Sequence, residues 1–308
     1  MVREQERIAV FQIYAEEMMA TDGSFNDLIS TYDISTPHKR ENAVREVIQE
    51  MTLFSLAQTD FFDRAAFMGG TDLRIFHGLN RFSEDLDFML KKEDPDFSLD
   101  GYLQDISDII SSFGISFDIS YVQKTNRTAI EEGIVKAKTG ELHLKFFTND
   151  IFPERIYPTQ LTKVKMEVDT SPAAGATFEN RFKTRPFGYM VSSCDLPTMF
   201  SGKIHAILCR PWVNRFKGRD LYDYIFYLDA KVPYNLKFLE SKLSRNMDVG
   251  CGLTHDDVVR MLSDRFGEID YKSAIDDVIN FIDSEEYNSV RIWCPELFRQ
   301  ITEDLKPQ

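Results

Sequence analysis

The stretch MGGTDLRIFHGLNRFSEDLDFML, Met68 to Leu90, decides how this chain is read. Two adjacent glycines precede an apolar pattern at helical spacing. A short polar loop follows, and then two aspartates stand one residue apart among large apolar residues. Alternate positions of a strand share a face, so Asp85 and Asp87 project together. An ionised carboxylate taken out of water loses its hydration and needs compensation. For two such groups the usual compensation is a divalent cation, and hard oxygen donors suit Mg2+ or Mn2+. Upstream, Gly69 and Gly70 are read as ending a strand and opening a helix, with Thr71 near its N-cap. Glycine lets the backbone approach a ligand closely, and the free N–H groups and dipole of a helix start favour a phosphate. A glycine pair alone is usually a turn, and a lone Asp-x-Asp is usually surface charge. Joined by one helix-length segment, they are the equipment of phosphoryl or nucleotidyl transfer.

The rest of the composition bounds the reading. A chain of 308 residues holds one large domain or two ordinary ones. With 43% hydrophobic and 28% charged residues it is a globular rather than a disordered chain. No apolar run approaches the roughly 20 residues of a membrane helix. The first residues carry charges through their apolar stretch, unlike a signal peptide. Cys194, Cys209, Cys251 and Cys294 lie far apart, without zinc spacing, and are expected to be free thiols in a reducing cytoplasm. A net charge of −14 argues against general affinity for nucleic acid. The charge is uneven, however: residues 121–219 hold 16 basic and 9 acidic side chains, and Lys203 to Arg219 holds five basic and none acidic. A basic face on an acidic body suits an enzyme with a polyanionic substrate; plain solvent-facing charge is the alternative.

Periodicity predicts helices over 5–20 and 39–62, a strand over 64–70, a helix over 71–78 and a strand over 84–90. A helix over 99–113 follows, with Leu103, Ile106, Ile109 and Ile110 on one face. Strands are expected over 115–123, 129–137, 141–148 and 161–169. Residues 170–188 read as a loop. Helices then fill 195–209, 218–230, 235–246, 254–266, 270–283 and 294–305. The expected fold is α+β: residues 1–190 form N-terminal helices plus a core with a mixed sheet, and residues 191–308 form a helical domain completing one cleft.

GGTDLRIFHGLNRFSEDLDF resembles the signature of the AbiEii/AbiGii nucleotidyltransferase toxins, a branch of the polymerase-β-like nucleotidyltransferases. KVKMEVD is similar to that family's strand with a third acidic residue, SGKIHAILCR to its lysine-bearing helix, and FKGRDLYDYIFYL to its R-D-x-x-D helix. These matches run in order over residues 68–228; residues 1–50 and 235–308 carry no matched motif. The resemblance implies a metal held by Asp85, Asp87 and Glu167, with Asp169 a rival to Glu167 on the same strand face. Without it, Lys163, Lys165, Glu167 and Asp169 read as a solvent-facing row. Gly69, Gly70 and Thr71 are expected at the triphosphate, with Ser83 capping the local turn or touching a phosphate. Arg74 is expected to brace the site, and Arg81 is a similar candidate. Lys203 is placed on the nucleotide phosphates, with Arg210 on nearly the same helical face. Asp223, the second acid of R-D-x-x-D, is preferred over Asp220 for the active centre, where it would orient Lys203 or the acceptor. Arg219 is expected to pair with one of these acids. Tyr222, Tyr224 and His77 read as packing residues, and His205 as a helix-surface residue.

The activity implied is metal-dependent transfer of a nucleoside monophosphate from an NTP to an acceptor hydroxyl. The resemblance further implies a cytoplasmic toxin beside an antitoxin, acting in growth arrest or phage defence by abortive infection. RNA, notably the tRNA 3′ end, is the acceptor it implies, and a protein acceptor stays open. A nucleotide-binding or partner-binding protein that kept the fold and lost turnover is the alternative. Excess acid in the C-terminal region favours a basic protein partner.

Overall fold

The computed structural model describes residues 25–112, 117–121, 139–147, 161–185, 188–210, 217–247 and 252–308. The helix expected over 5–20 and the strand expected over 129–137 lie outside them. In chain order come α1 (Phe25–Ser30), α2 (Pro37–Ala57), α3 (Phe61–Arg64), β1 (Ala65–Met68), α4 (Gly69–His77), β2 (Asp85–Leu90) and α5 (Asp100–Ser112). The strands β3 (Phe117–Tyr121), β4 (Thr139–Phe147), β5 (Leu161–Asp169), β6 (Phe178–Lys183) and β7 (Tyr189–Cys194) follow. The chain ends in α6 (Leu196–Cys209), α7 (Gly218–Asp229), α8 (Leu236–Leu243), α9 (His255–Phe266), α10 (Tyr271–Val278), α11 (Tyr287–Val290) and α12 (Pro295–Ile301). The strands form one seven-stranded sheet in the order β3-β4-β5-β2-β1-β7-β6. It is mixed, since β2 and β5 pair parallel whereas β3–β4 and β4–β5 pair antiparallel. The expected α+β architecture is the one observed.

Two compact units emerge. The first comprises Met1–Phe67, Glu84–Ser171 and Asn180–Ser192; the second comprises Met68–Ser83, Pro172–Glu179 and Ser193–Gln308. The core of the first is aromatic: Phe61 packs edge-on against Phe62, Phe88 and Tyr102, with ring centroids 4.9–5.3 Å apart. Offset and edge contacts of this kind add to plain burial. Helix α2 starts at Thr36, whose side chain accepts from the Lys39 N–H, with Pro37 in the first turn. It buries Glu46, Gln49 and Glu50 as well as its apolar residues. Burial pushes the Glu50 carboxyl up, opposed by Lys183, whose Nζ lies 2.8 Å from Glu50 Oε1. On α5 the buried face holds Tyr102, Ile106, Ile109 and Ile110, with Tyr102 taking the place expected for Leu103.

The second unit is a helical body around Phe200, Tyr224, Tyr227, Phe266 and Phe298, all fully buried. Phe200 and Tyr227 stack with centroids 4.6 Å apart, and Tyr224 Oη lies 2.9 Å from Thr302 Oγ1. Gly218 lets α7 press on α10: a side chain there would overlap the Ala274 carbonyl oxygen and lie 2.7 Å from its carbon. One expectation fails outright. Residues 170–188 are not all loop, because Phe178–Lys183 is the edge strand β6, and Tyr189–Cys194, assigned to no element from the sequence, is β7.

Candidate functional site

Within the first unit, strand β2 alternates as its sequence predicts. Leu86 and Phe88 are buried, whereas Asp85 and Asp87 are half-buried on the other face. Parallel pairing with β5 sets Asp85 beside Lys165, Asp87 beside Glu167 and Met89 beside Asp169. Register therefore puts Glu167, rather than Asp169, next to the Asp-x-Asp pair. Val164, Met166 and Val168 on β5 are fully buried, so Lys165, Glu167 and Asp169 share the opposite, half-buried face. Glu167 is not idle there: Lys165 Nζ lies 2.5 Å from its Oε1. Among the described residues, no three His, Cys, Asp or Glu side chains converge as a ready-made metal cage. The donor chemistry nevertheless fits a hard divalent cation: Asp85 and Asp87 present carboxylate oxygens on one strand face, and Glu167 stands in the adjoining register position.

Within the second unit, Gly69 takes φ 88° at the start of α4, a conformation that favours glycine, and the helix begins after Met68, which supplies no side-chain cap. Thr71 thus lies inside the first turn and is almost fully buried, rather than serving as the cap. Gly70 is where the chain comes closest: a Cβ on it would overlap the Arg81 guanidinium and lie 2.8 Å from Ser83 Oγ. The glycine turn, Arg81 and Ser83 therefore form one contact. Arg74 braces this loop, donating from Nη1 to the Asn80 carbonyl at 3.0 Å and to that of Leu79 at 3.3 Å.

From Arg81 an ionic chain runs through the buried body. Arg81 Nε and Nη2 donate to Asp223 Oδ1 and Oδ2 at 2.6 and 2.7 Å, a bidentate fork with the arginine only 3% exposed. Lys203 Nζ lies 2.8 Å from Asp223 Oδ2 and 2.7 Å from Asp220 Oδ1. Arg210 Nη1 closes the chain on Asp220 Oδ2 at 2.6 Å. Burial pushes Asp223 up, but Arg81 and Lys203 outweigh it and hold the carboxyl below its usual range. Burial likewise pushes Lys203 down, and Asp220 and Asp223 outweigh it and raise it. Three cations against two anions leave one positive charge, and Arg210, with a third of its side chain exposed, is the end of the chain open to an anion.

A profile described as "Nucleotidyl transferase AbiEii toxin, Type IV TA system" matches residues 52–300. The chain belongs to the AbiEii nucleotidyltransferase toxin family. No curated protein matches its sequence. Among solved structures it is similar to JHP933 from Helicobacter pylori, at 19% identity over 85% of this chain and 88% of that chain, with a TM-score of 0.47. It is also similar to MenT4, the nucleotidyltransferase toxin Rv2826c from Mycobacterium tuberculosis H37Rv, at 18% identity over 91% and 90% of the two chains, with a TM-score of 0.48.

In this AbiEii chain the second unit gathers Gly70, Ser83, Arg81, Asp223, Lys203, Asp220 and Arg210 through successive contacts; Thr71 lies in the same turn, and Arg74 braces the loop that follows. The first unit holds Asp85, Asp87 and Glu167. Lys203 lies mid-helix on α6, with its ammonium in ion pairs with Asp220 and Asp223. Arg219, expected beside one of these acids, lies over the Phe281 ring, with Asp277 Oδ2 3.8 Å from its Nε. The residue underrated from sequence is Arg81, which locks the glycine turn to the R-D-x-x-D helix. Its signal was the arginine in R-x-S-x-DLDF. His205 is turned inward enough that burial, followed by Lys242 and Arg210, pushes it down to about 4; its Nε2 accepts from Asn246 Nδ2 at 2.8 Å. A cavity of about 430 Å3 also opens in this unit, lined by Tyr222, Phe226, Asp229, Glu286, Trp293 and Leu297 among others.

Proposed function

We propose that this AbiEii member transfers a nucleoside monophosphate from an NTP to an RNA hydroxyl, with tRNA the preferred acceptor, in the presence of Mg2+ or Mn2+. The observation that carries this reading is the pair Asp85 and Asp87 on one half-buried strand face with Glu167 in register beside Asp87. These three carboxylates would hold the metal, which when bound neutralises triphosphate charge and makes the acceptor hydroxyl more acidic. Glu167 takes the acceptor proton, with Asp169 its rival. The acceptor oxygen bonds to the α-phosphorus, the bond from that phosphorus to the bridging oxygen breaks, and pyrophosphate leaves. Gly69, Gly70 and Thr71 receive the triphosphate through backbone N–H groups at the start of α4, aided by Ser83. Lys203 and Arg210 supply positive charge, Asp223 orients Lys203, and Arg74 braces the turn.

In the cell the outcome would be growth arrest or phage defence in the cytoplasm, held in check by a cognate antitoxin. Residues 1–190 would form the catalytic core and 191–308 the domain that completes it. The basic balance of residues 121–219 supports a polyanionic acceptor. The test uses purified protein, Mg2+, each α-32P-labelled NTP and total tRNA. Labelled RNA, lost in Asp85→Asn/Asp87→Asn, is expected. Unlabelled RNA with retained NTP binding would instead favour a binding protein without turnover, or an acceptor outside the mixture.

A further inference from the structure

Lys165 lies at the centre of the acidic face of β2 and β5. It stands beside Asp85 in register, and its ammonium lies 2.5 Å from Glu167, which in turn stands beside Asp87. Four half-buried positions thus form a block: Asp85 and Lys165 in one row, Asp87 and Glu167 in the next. Three carboxylates crowded on one sheet face repel each other, and a cation among them lowers that cost. Lys165 does so from within the chain. Its ammonium is a compact charge on a flexible stem that can swing away. A metal site also built from Glu167 requires it to do so.

We propose that Lys165 is an internal counter-ion that competes with the divalent cation for Glu167, so that metal loading requires its displacement. Lys165 is a positioning residue in this scheme. It keeps the acidic face neutralised while empty and weakens binding of bare metal, so that metal is favoured chiefly when triphosphate oxygens complete its shell. The inference rests on the proposed metal role of Asp85, Asp87 and Glu167.

The test is Mn2+ binding to the full chain without nucleotide, measured by electron paramagnetic resonance. Lys165→Gln, which keeps most of the stem and removes the charge, should bind Mn2+ about three- to fivefold more tightly, the upper end of the scale of a solvent-accessible ion pair. Lys165→Arg should bind as weakly as the wild type. Lys163→Gln, which removes a charge from the same strand, controls for a general field effect and should shift affinity by much less. Unfolding in EDTA adds a second readout: Lys165→Gln should melt lower than wild type, with the loss recovered on adding Mn2+. Equal affinities for Lys165→Gln and wild type, or equal gains for Lys163→Gln and Lys165→Gln, would overturn the competition. Mn2+ binding that survives Asp85→Asn/Asp87→Asn, or is absent from wild type and Lys165→Gln alike, would instead remove the metal reading beneath it.

Discussion

Gly70→Ala probes the join between the glycine turn and the ionic chain. The added methyl would overlap the Arg81 guanidinium, and it would lie 2.8 Å from Ser83 Oγ and 3.2 Å from Arg81 Cζ. Arg81 is a poor candidate to give way. It is 3% exposed, donates twice to Asp223, and donates from Nη1 to the Phe82 carbonyl at 2.9 Å. Two responses compete. The glycine turn can shift, at the cost of overpacking, about 1–3 kcal/mol. Alternatively Arg81 leaves Asp223, and breaking a buried pair costs about 3–5 kcal/mol. The chain takes the cheaper course, so the variant folds about 2 kcal/mol less stable, with the turn moved and the ion pair kept. Gly78→Ala is the control: at φ 77° it is strained, at about 1–2 kcal/mol, but nothing lies within 4 Å of its new methyl. Urea unfolding reads stability, and equilibrium binding of labelled NTP reads the turn. Gly70→Ala should lose at least tenfold in NTP affinity, about 1.4 kcal/mol or more, and Gly78→Ala almost none. Equal NTP affinities for the two variants would refute the assignment of Gly70 to the phosphate, and wild-type stability in Gly70→Ala would refute the rigid Arg81 contact.

Arg81→Met should cost about 3 kcal/mol, moderated because Lys203 still faces Asp223; a double-mutant cycle with Asp223→Asn should return a coupling above 1 kcal/mol, and additive losses would contradict the pairing. His205 titrates near 6.5 when unfolded but is pushed down to about 4 in the fold by burial and by Lys242 and Arg210. Its contribution to stability is therefore complete above about pH 6.5 and lost as pH falls toward 4. At about 1.4 kcal/mol per pH unit, reduced for the partly exposed ring, wild type should lose about 2 kcal/mol more than His205→Gln between pH 7 and 4.5 in urea unfolding; equal losses would contradict it. Gly218→Ala should destabilise by about 2–3 kcal/mol, because the overlapping atom is a backbone carbonyl of α10 that cannot rotate away. A melting temperature at or above wild type would show that α7 and α10 are not pressed together there.

The parts of the site that were legible are those a local period encodes. Asp85-Leu86-Asp87-Phe88 has the alternation of a one-sided strand, and its burial follows that alternation residue by residue. The lysine-glutamate row of β5 is legible in the same way, although its cross-strand partners are not. Strand β6 was hidden because Gly, Pro and Thr just before it signal a loop, and FENRFK, though its charges fall at alternate positions, buries no residue and leaves Phe182 exposed. Strand β7, YMVSSC, buries Ser192 and Ser193, which composition alone reads as turn formers. In both cases the neighbouring strands, not the local sequence, decide the pairing.

The ionic chain marks a sharper limit. Helical spacing correctly puts Asp220 and Asp223 on one face of α7, but it cannot say that Arg81, 142 residues before Asp223, fills the space they face. Nor can it say that Lys203 is held by both acids. Buried charges must be paired, so each residue of this set constrains the others more than its own helix does. That mutual constraint changes what a substitution at Lys203 would report. A loss of activity after Lys203→Ala would mix lost phosphate contact with two buried carboxylates left short of a cation. Arg210→Gln is the cleaner probe, because Asp220 keeps Lys203 when Arg210 is gone, and the side chain lost is the one already open to solvent.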